Sequence, residues 1–152
     1  MAEPSASVHA SCVLVGARAV LIRGASGCGK SRLALDLIQT AARGGLRFAR
    51  LVADDRVHLT PIGGRLLARP AEPLAGLIEL RGVGLLRLPY EGCAVIGLVV
   101  DLSAQDVSRL PDPEQRETAI DGISLPRLAV ASGAAALPGV LALLNSPRDS
   151  WV

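Results

Sequence analysis

The octapeptide Gly24-Ala25-Ser26-Gly27-Cys28-Gly29-Lys30-Ser31 limits what this chain can fold into more than any other stretch. It satisfies the pattern G-x-x-x-x-G-K-[ST] at every fixed position, and it stands between an apolar strand candidate at 19–23 and a helix candidate at 32–42. A strand, a glycine loop and a helix in that order imply an α/β fold. Three glycines let the backbone curl so that successive N–H groups face one anion, and the helix that follows adds its positive end. Lys30 is placed to set a cation against outer phosphates, and Ser31 to offer its hydroxyl to Mg²⁺. Lys30 is also the only lysine among sixteen basic residues. A chain that otherwise writes arginine, yet writes lysine here, asks for a compact ammonium rather than a planar fork.

At 152 residues, half of them hydrophobic, the chain has the size of one self-sufficient domain, read as 1–152. Its only aromatics are Phe48, Tyr90 and Trp151, too few for a base-stacking surface, and a net charge of +2 with scattered arginines argues against a nucleic-acid partner. Cys12, Cys28 and Cys93 form no C-x-x-C pair, which fits free thiols in a reducing, cytoplasmic setting. Cys28 occupies a variable loop position and is given no chemistry, although a thiol near a helix start is open to oxidants. Residues 1–7 lack the order of a signal peptide and read as a loose start. The apolar stretch 128–144 is interrupted by Ser132, Gly133, Pro138 and Gly139 and falls short of the ~20 residues of a bilayer span, so no membrane segment is expected.

Along the chain, 8–15 reads as a strand that turns at 16–18 into the strand 19–23, a hairpin leading into the loop. Gly44-Gly45 ends the helix. The apolar run 48–53 stops at Asp54 and Asp55, where a carboxylate at the end of a strand faces a nucleotide. A hairpin is expected around Pro61-Ile62-Gly63-Gly64. In 77–86, Glu79 and Arg81 are two apart and would share one face of a strand, with Gly82 and Gly84 permitting a tight turn or a close approach. A buried strand at 93–100 ends in Asp101, which rivals Asp54 for the metal-organising aspartate of common phosphate-loop enzymes. A helical turn is expected at 102–109, a polar loop at 111–117, an edge strand at 123–126, one or two short helices broken near Pro138 within 131–145, and a tail from 146.

Four of these elements in order resemble the catalytic domain of the bacterial HPr kinase/phosphorylase family: His9 fifteen residues before the first loop glycine, the loop itself, Val52-Ala53-Asp54-Asp55-Arg56-Val57, and Ile78-Glu79-Leu80-Arg81-Gly82-Val83-Gly84. The match covers roughly residues 8 to 100 and has the look of a short form without the family's N-terminal domain. In the C-terminal third the chain departs from the family: where the family carries a proline-glycine-arginine-asparagine segment, associated with phosphorolysis and HPr contact, this chain has only Leu125-Pro126-Arg127-Leu128, and the resemblance carries over Arg127.

The resemblance implies an α/β, P-loop-containing, phosphoenolpyruvate-carboxykinase-like mixed sheet with flanking helices. It implies an ATP- and Mg²⁺-dependent serine kinase acting on the phosphocarrier HPr in the cytoplasm, with phosphorolysis by inorganic phosphate as a second direction and a homo-oligomeric assembly. It assigns nucleotide binding to residues 24–31, with Gly24, Ala25, Ser26, Gly27, Cys28 and Gly29 ahead of Lys30 and Ser31. Asp54 becomes the base that accepts the serine proton, His9 its contact, and Arg81 a phosphate-contacting cation beside Lys30. Ser31, Asp55 and Glu79 become the metal ligands, and Asp101 structural. A small-molecule kinase or phosphoenolpyruvate-carboxykinase-like NTPase, or a nucleotide sensor without turnover, stand as alternatives.

Overall fold

The computed structural model describes residues 6–151, so most of the expected loose start, residues 1–5, and Val152 lie outside the described residues. The chain begins with β1 (Ser7–Val8), bends at His9 and continues as β2 (Ala10–Val15), so the strand expected over 8–15 is divided. The division has a cause: β1 pairs with β5 (Val57–Ile62), whereas β2 pairs with β3 (Arg18–Arg23) and with β4 (Ala49–Ala53). The hairpin into the loop is present as expected, and α1 (Lys30–Ala42) starts on the loop's own lysine, two residues before the expected boundary. The loop residues Lys30 and Ser31 thereby belong to the first helical turn.

β5 and β6 (Arg65–Pro70) form a hairpin whose two-residue turn is Gly63-Gly64, both at positive φ, so Pro61 and Ile62 are strand residues. β7 (Leu77–Leu80) and β8 (Gly84–Arg87) make a separate two-stranded sheet. The strand ends at Leu80, which moves Arg81 into the turn; the expected common strand face for Glu79 and Arg81 is not formed. β9 (Ala94–Leu102) is the spine of the main sheet. β3 lies parallel along one edge, and the other edge is shared by β6, antiparallel at its start, and β11 (Ile123–Val130), parallel at its end. β10 (Glu117–Ile120) pairs antiparallel with β11, so the expected edge strand at 123–126 is only the first half of a longer one. The helical turn expected at 102–109 is absent: Leu102 completes β9 and irregular chain follows. α2 (Leu137–Leu144) is one helix with Pro138 in its first turn, where a missing N–H costs no hydrogen bond, so the proline starts the helix instead of breaking it.

The nine-stranded mixed sheet buries apolar residues on both faces. Cys12, Leu21, Val52, Val57, Leu66, Ile96 and Val99 pack on one face, where β5 and β6 curl over. Val13, Val20, Ile22, Leu51, Leu98 and Val100 pack on the other, under Leu33, Ala34 and Leu37 of α1, Ile78 of β7 and Val140 of α2. β2 runs against both of its neighbours, β3 and β4. Its first residues therefore reach the same rim as the carboxyl ends of β3, β4 and β9, and that rim carries the phosphate loop.

Candidate active site

The loop leaves β3 at Gly24 and curls through Gly27 and Gly29, at φ 81° and 102°, a conformation open to glycine at no steric cost. Lys30 is 6% exposed, and its ammonium donates to the carbonyls of Gly24 and Ala25 at 2.8 and 3.0 Å. The lysine thus closes the loop upon itself.

Asp54 is the buried acid of the rim, 4% exposed. Its Oδ1 accepts the hydroxyls of Ser11 at 2.6 Å and Ser31 at 2.7 Å. Its Oδ2 accepts the same Ser31 hydroxyl at 2.9 Å and the backbone N–H of Glu79 at 3.1 Å. Three elements converge on it: β2 through Ser11, α1 through Ser31 and β7 through Glu79. An irregularity in β4 makes this register possible. Cys12 pairs with Ala53 but Val13 pairs with Leu51, so Val52 is an extra residue, and the shifted ladder brings Asp54 level with Ser11. In a regular ladder Asp54 would lie beside Ala10, which has no hydroxyl.

Asp55 goes elsewhere. The N–H of Arg56 bonds the carbonyl of Asp54 at 2.8 Å around Asp55 at φ 70°, a three-residue turn in its rarer, strained form. The turn sends the Asp55 carboxylate to His9 Nε2, 2.6 Å away. The histidine therefore meets the second aspartate and not Asp54, a correction to the expected His9–Asp54 contact. Glu79 presents its backbone, not its carboxylate, to Asp54, and its side chain is exposed. Arg81 is exposed in the β7–β8 turn. Among the described residues no three His, Cys, Asp or Glu side chains gather into a metal cluster, so Asp55 and Glu79 do not converge with another such group on Ser31.

Asp101, the rival acid, is held in a bidentate pair with Arg23 at 2.7 and 2.8 Å and by Arg127 Nε at 2.5 Å. Burial acts to raise its carboxyl, but the bonds and charges of Arg23 and Arg127 outweigh that and hold it below the usual carboxylate range. Arg127 continues to Asp106 through both terminal nitrogens, at 2.8 and 2.9 Å. The Asp106 bond and, after the opposing effect of burial, the Asp101 bond raise the guanidinium further. Asp101 is thus locked into a structural network. Arg127 serves that network too, and no phosphate-facing role is needed to account for it. Burial pushes the Cys12 thiol up, which leaves it a small apolar core residue.

Two members of the site were not singled out from sequence. Ser11 was legible only as a hydroxyl inside the apolar run Ala10 to Val15. Arg23 was legible only as a charge at the end of an apolar strand, immediately before Gly24.

The parallel end of a mixed sheet, a glycine loop running into α1 and a buried aspartate on the loop's serine define an α/β phosphate-loop protein of the phosphoenolpyruvate-carboxykinase-like kind. The sequence profile described as "HPr Serine kinase C-terminal domain" matches residues 1–131, and the chain belongs to that family. It is 35% identical over 135 residues to an HPr kinase/phosphorylase of Streptococcus pneumoniae, covering 82% of this chain and 41% of that one. To one from Streptococcus thermophilus it is 46% identical over 81 residues, covering 53% and 24%. The chain thus spans less than half the length of these curated relatives. The solved structure of the Hpr(Ser) kinase/phosphatase from Coxiella burnetii superposes with a TM-score of 0.71 at 25% identity, covering 94% of this chain and 88% of that one.

Proposed function

We propose that residues 1–152 act as one catalytic unit that transfers the γ-phosphoryl group of ATP to a serine of an HPr-type phosphocarrier. The observation that carries this reading is the buried Asp54 bonded to Ser31 at the end of the phosphate loop. A carboxylate has about four acceptor positions, and here Ser11 and Ser31 meet Oδ1 while Ser31 and the Glu79 N–H meet Oδ2; a Ser31 hydroxyl that turns to a cation frees a position for one further hydroxyl. In this reading that hydroxyl is the target serine. Asp54 takes its proton as the phosphoryl group arrives, and gives it back if inorganic phosphate drives the reverse reaction.

Lys30 turns its ammonium from the Gly24 and Ala25 carbonyls to the outer phosphates, and the loop amides hold the remaining oxygens. The Ser31 hydroxyl and the Asp54 carboxylate it bonds are both oxygen ligands, which suits a hard cation such as Mg²⁺. Ser31 would hold it, with Asp55 or Glu79 turned inward. When bound, the ion offsets charge on the transferring group. Asp54 orients the Ser31 hydroxyl for that purpose, His9 holds Asp55, and Arg81 supplies an exposed cation near the phosphates. A cytoplasmic setting and a homo-oligomer belong to the same reading; no helix among the described residues is long and apolar enough to cross a membrane.

The test is to incubate the purified chain with Mg-ATP and a purified HPr-type carrier and to look for a serine phosphate by mass. An unlabelled carrier alongside turnover of a metabolite would select a small-molecule kinase. Nucleotide binding without any turnover would select a sensor.

A further inference from the structure

A cavity of about 760 Å³, with none of residues 24–31 in its lining, opens between the 106–117 segment, β11, and the C-terminal residues with α2. Small-molecule sites span roughly 300–1,000 Å³, so the space suits a ligand of that class. Its walls set Leu128 and Leu143 beside Arg109, Arg116 and Arg148. Arg127 lines it as well, but its donors are already taken by Asp101, Asp106 and the carbonyl of Gln115. The other three arginines make no ion pair among the described residues: Arg116 donates Nε to the Pro111 carbonyl, and Arg148 lies 5.7 Å from the centre of the Trp151 ring. Trp151, on the same wall, holds the one buried side-chain polar atom without a partner among the described residues, its indole Nε1. Two carboxylates line the cavity as well, Asp106, which is paired with Arg127, and Glu117; against them stand three guanidinium forks without an ion pair, which match planar or tetrahedral oxyanions in geometry.

We propose that this cavity is a second, non-catalytic site for a small organic anion, a phosphate monoester or a carboxylate carried on an apolar body. The anion faces the arginines and the body lies on Leu128 and Leu143. An occupant would rest against Arg127, whose partner Asp101 also holds Arg23, the residue before Gly24.

Trp151 is the chain's only tryptophan, so its emission reads this cavity directly. The experiment titrates the full chain with phenyl phosphate, with benzoate, and with benzyl alcohol as the uncharged body. Expected is a saturable change in Trp151 emission at millimolar or lower phenyl phosphate or benzoate, the tighter of the two naming the oxyanion. The affinity should be at least about tenfold weaker for benzyl alcohol. Arg109→Ser or Arg116→Ser should weaken anion binding by about tenfold while the thermal midpoint holds, and saturating Mg-ATP should leave the response in place. Should one variant not fold, the other carries the comparison. No saturable response to either anion, an equal response to benzyl alcohol, or unchanged binding in the folded variants would overturn the proposal. A response that vanishes as sedimentation shows self-association would assign the cavity to a second copy of the chain and overturn it equally.

Discussion

Replacing Asp54 by asparagine separates the role of its charge from that of its shape. The amide oxygen can still accept from Ser11 and Ser31, but the amide nitrogen then stands where Oδ2 received the Glu79 N–H at 3.1 Å, and two donors face each other. Losing one hydrogen bond to a charged group costs about 1.5–3 kcal/mol. At about 2–4 °C per kcal/mol for a domain of this size, the thermal midpoint should fall by roughly 3–12 °C, read by calorimetry. The kinetic effect should be larger. A missing general base lowers turnover by about 10²- to 10⁴-fold, measured as initial rates of serine phosphate formation on an HPr-type carrier. Nucleotide affinity, measured by titration calorimetry, should change little, because no Lys30 bond involves Asp54. A variant whose midpoint falls as expected but whose rate stays within about tenfold of the parent would refute the base role while leaving the structural one.

Three further outcomes follow from the same geometry. Lys30→Ala should weaken nucleotide binding by about ten- to a hundredfold, the equivalent of one charge-assisted bond, and a titration showing unchanged affinity would count against the loop as the phosphate site. Gly24→Ala should lower both the thermal midpoint and nucleotide affinity: its Cβ would lie 2.5 Å from Cys28 Sγ and 3.1 Å from the Leu102 carbonyl at φ 151°. Adding Cys28→Ser should not restore it, since the carbonyl contact and the φ persist. Asp101→Asn should leave nucleotide binding near the parent's yet reduce stability at neutral pH. The Asp101 carboxyl is lower folded than unfolded, so its contribution is complete above about pH 4 and is lost as pH falls through the folded value. The parent's midpoint should therefore drop more steeply on the acid side than the variant's.

The phosphate loop, its flanking hairpin and helix, and the acid-bearing strand could all be read from the sequence because each is fixed by neighbours in the chain. The fate of the two adjacent aspartates could not. Their separation depends on the extra residue at Val52, which arises from how β4 pairs with a strand some forty residues earlier, and on the strained turn at Asp55, which turns the second carboxylate to His9. The same holds for Asp101, whose competing claim from sequence was as good as any. Only the folded chain brings Arg23 and Arg127 to it from 78 and 26 residues away. Arg81 was misplaced for a simpler reason: two glycines allow a strand to continue or to turn, and pairing with β8 selects the turn.

The strand that runs opposite to its neighbours has a consequence for how the gene is laid out. Every group that touches Asp54 or its twin comes from positions 9 to 79, while the stretch beyond Leu102 builds a basin of its own. Chemistry and that basin are thus written in successive blocks of code. A chimera that borrows its last fifty or so residues from a cousin keeps every partner of Asp54 and replaces only the Arg127 side of Asp101.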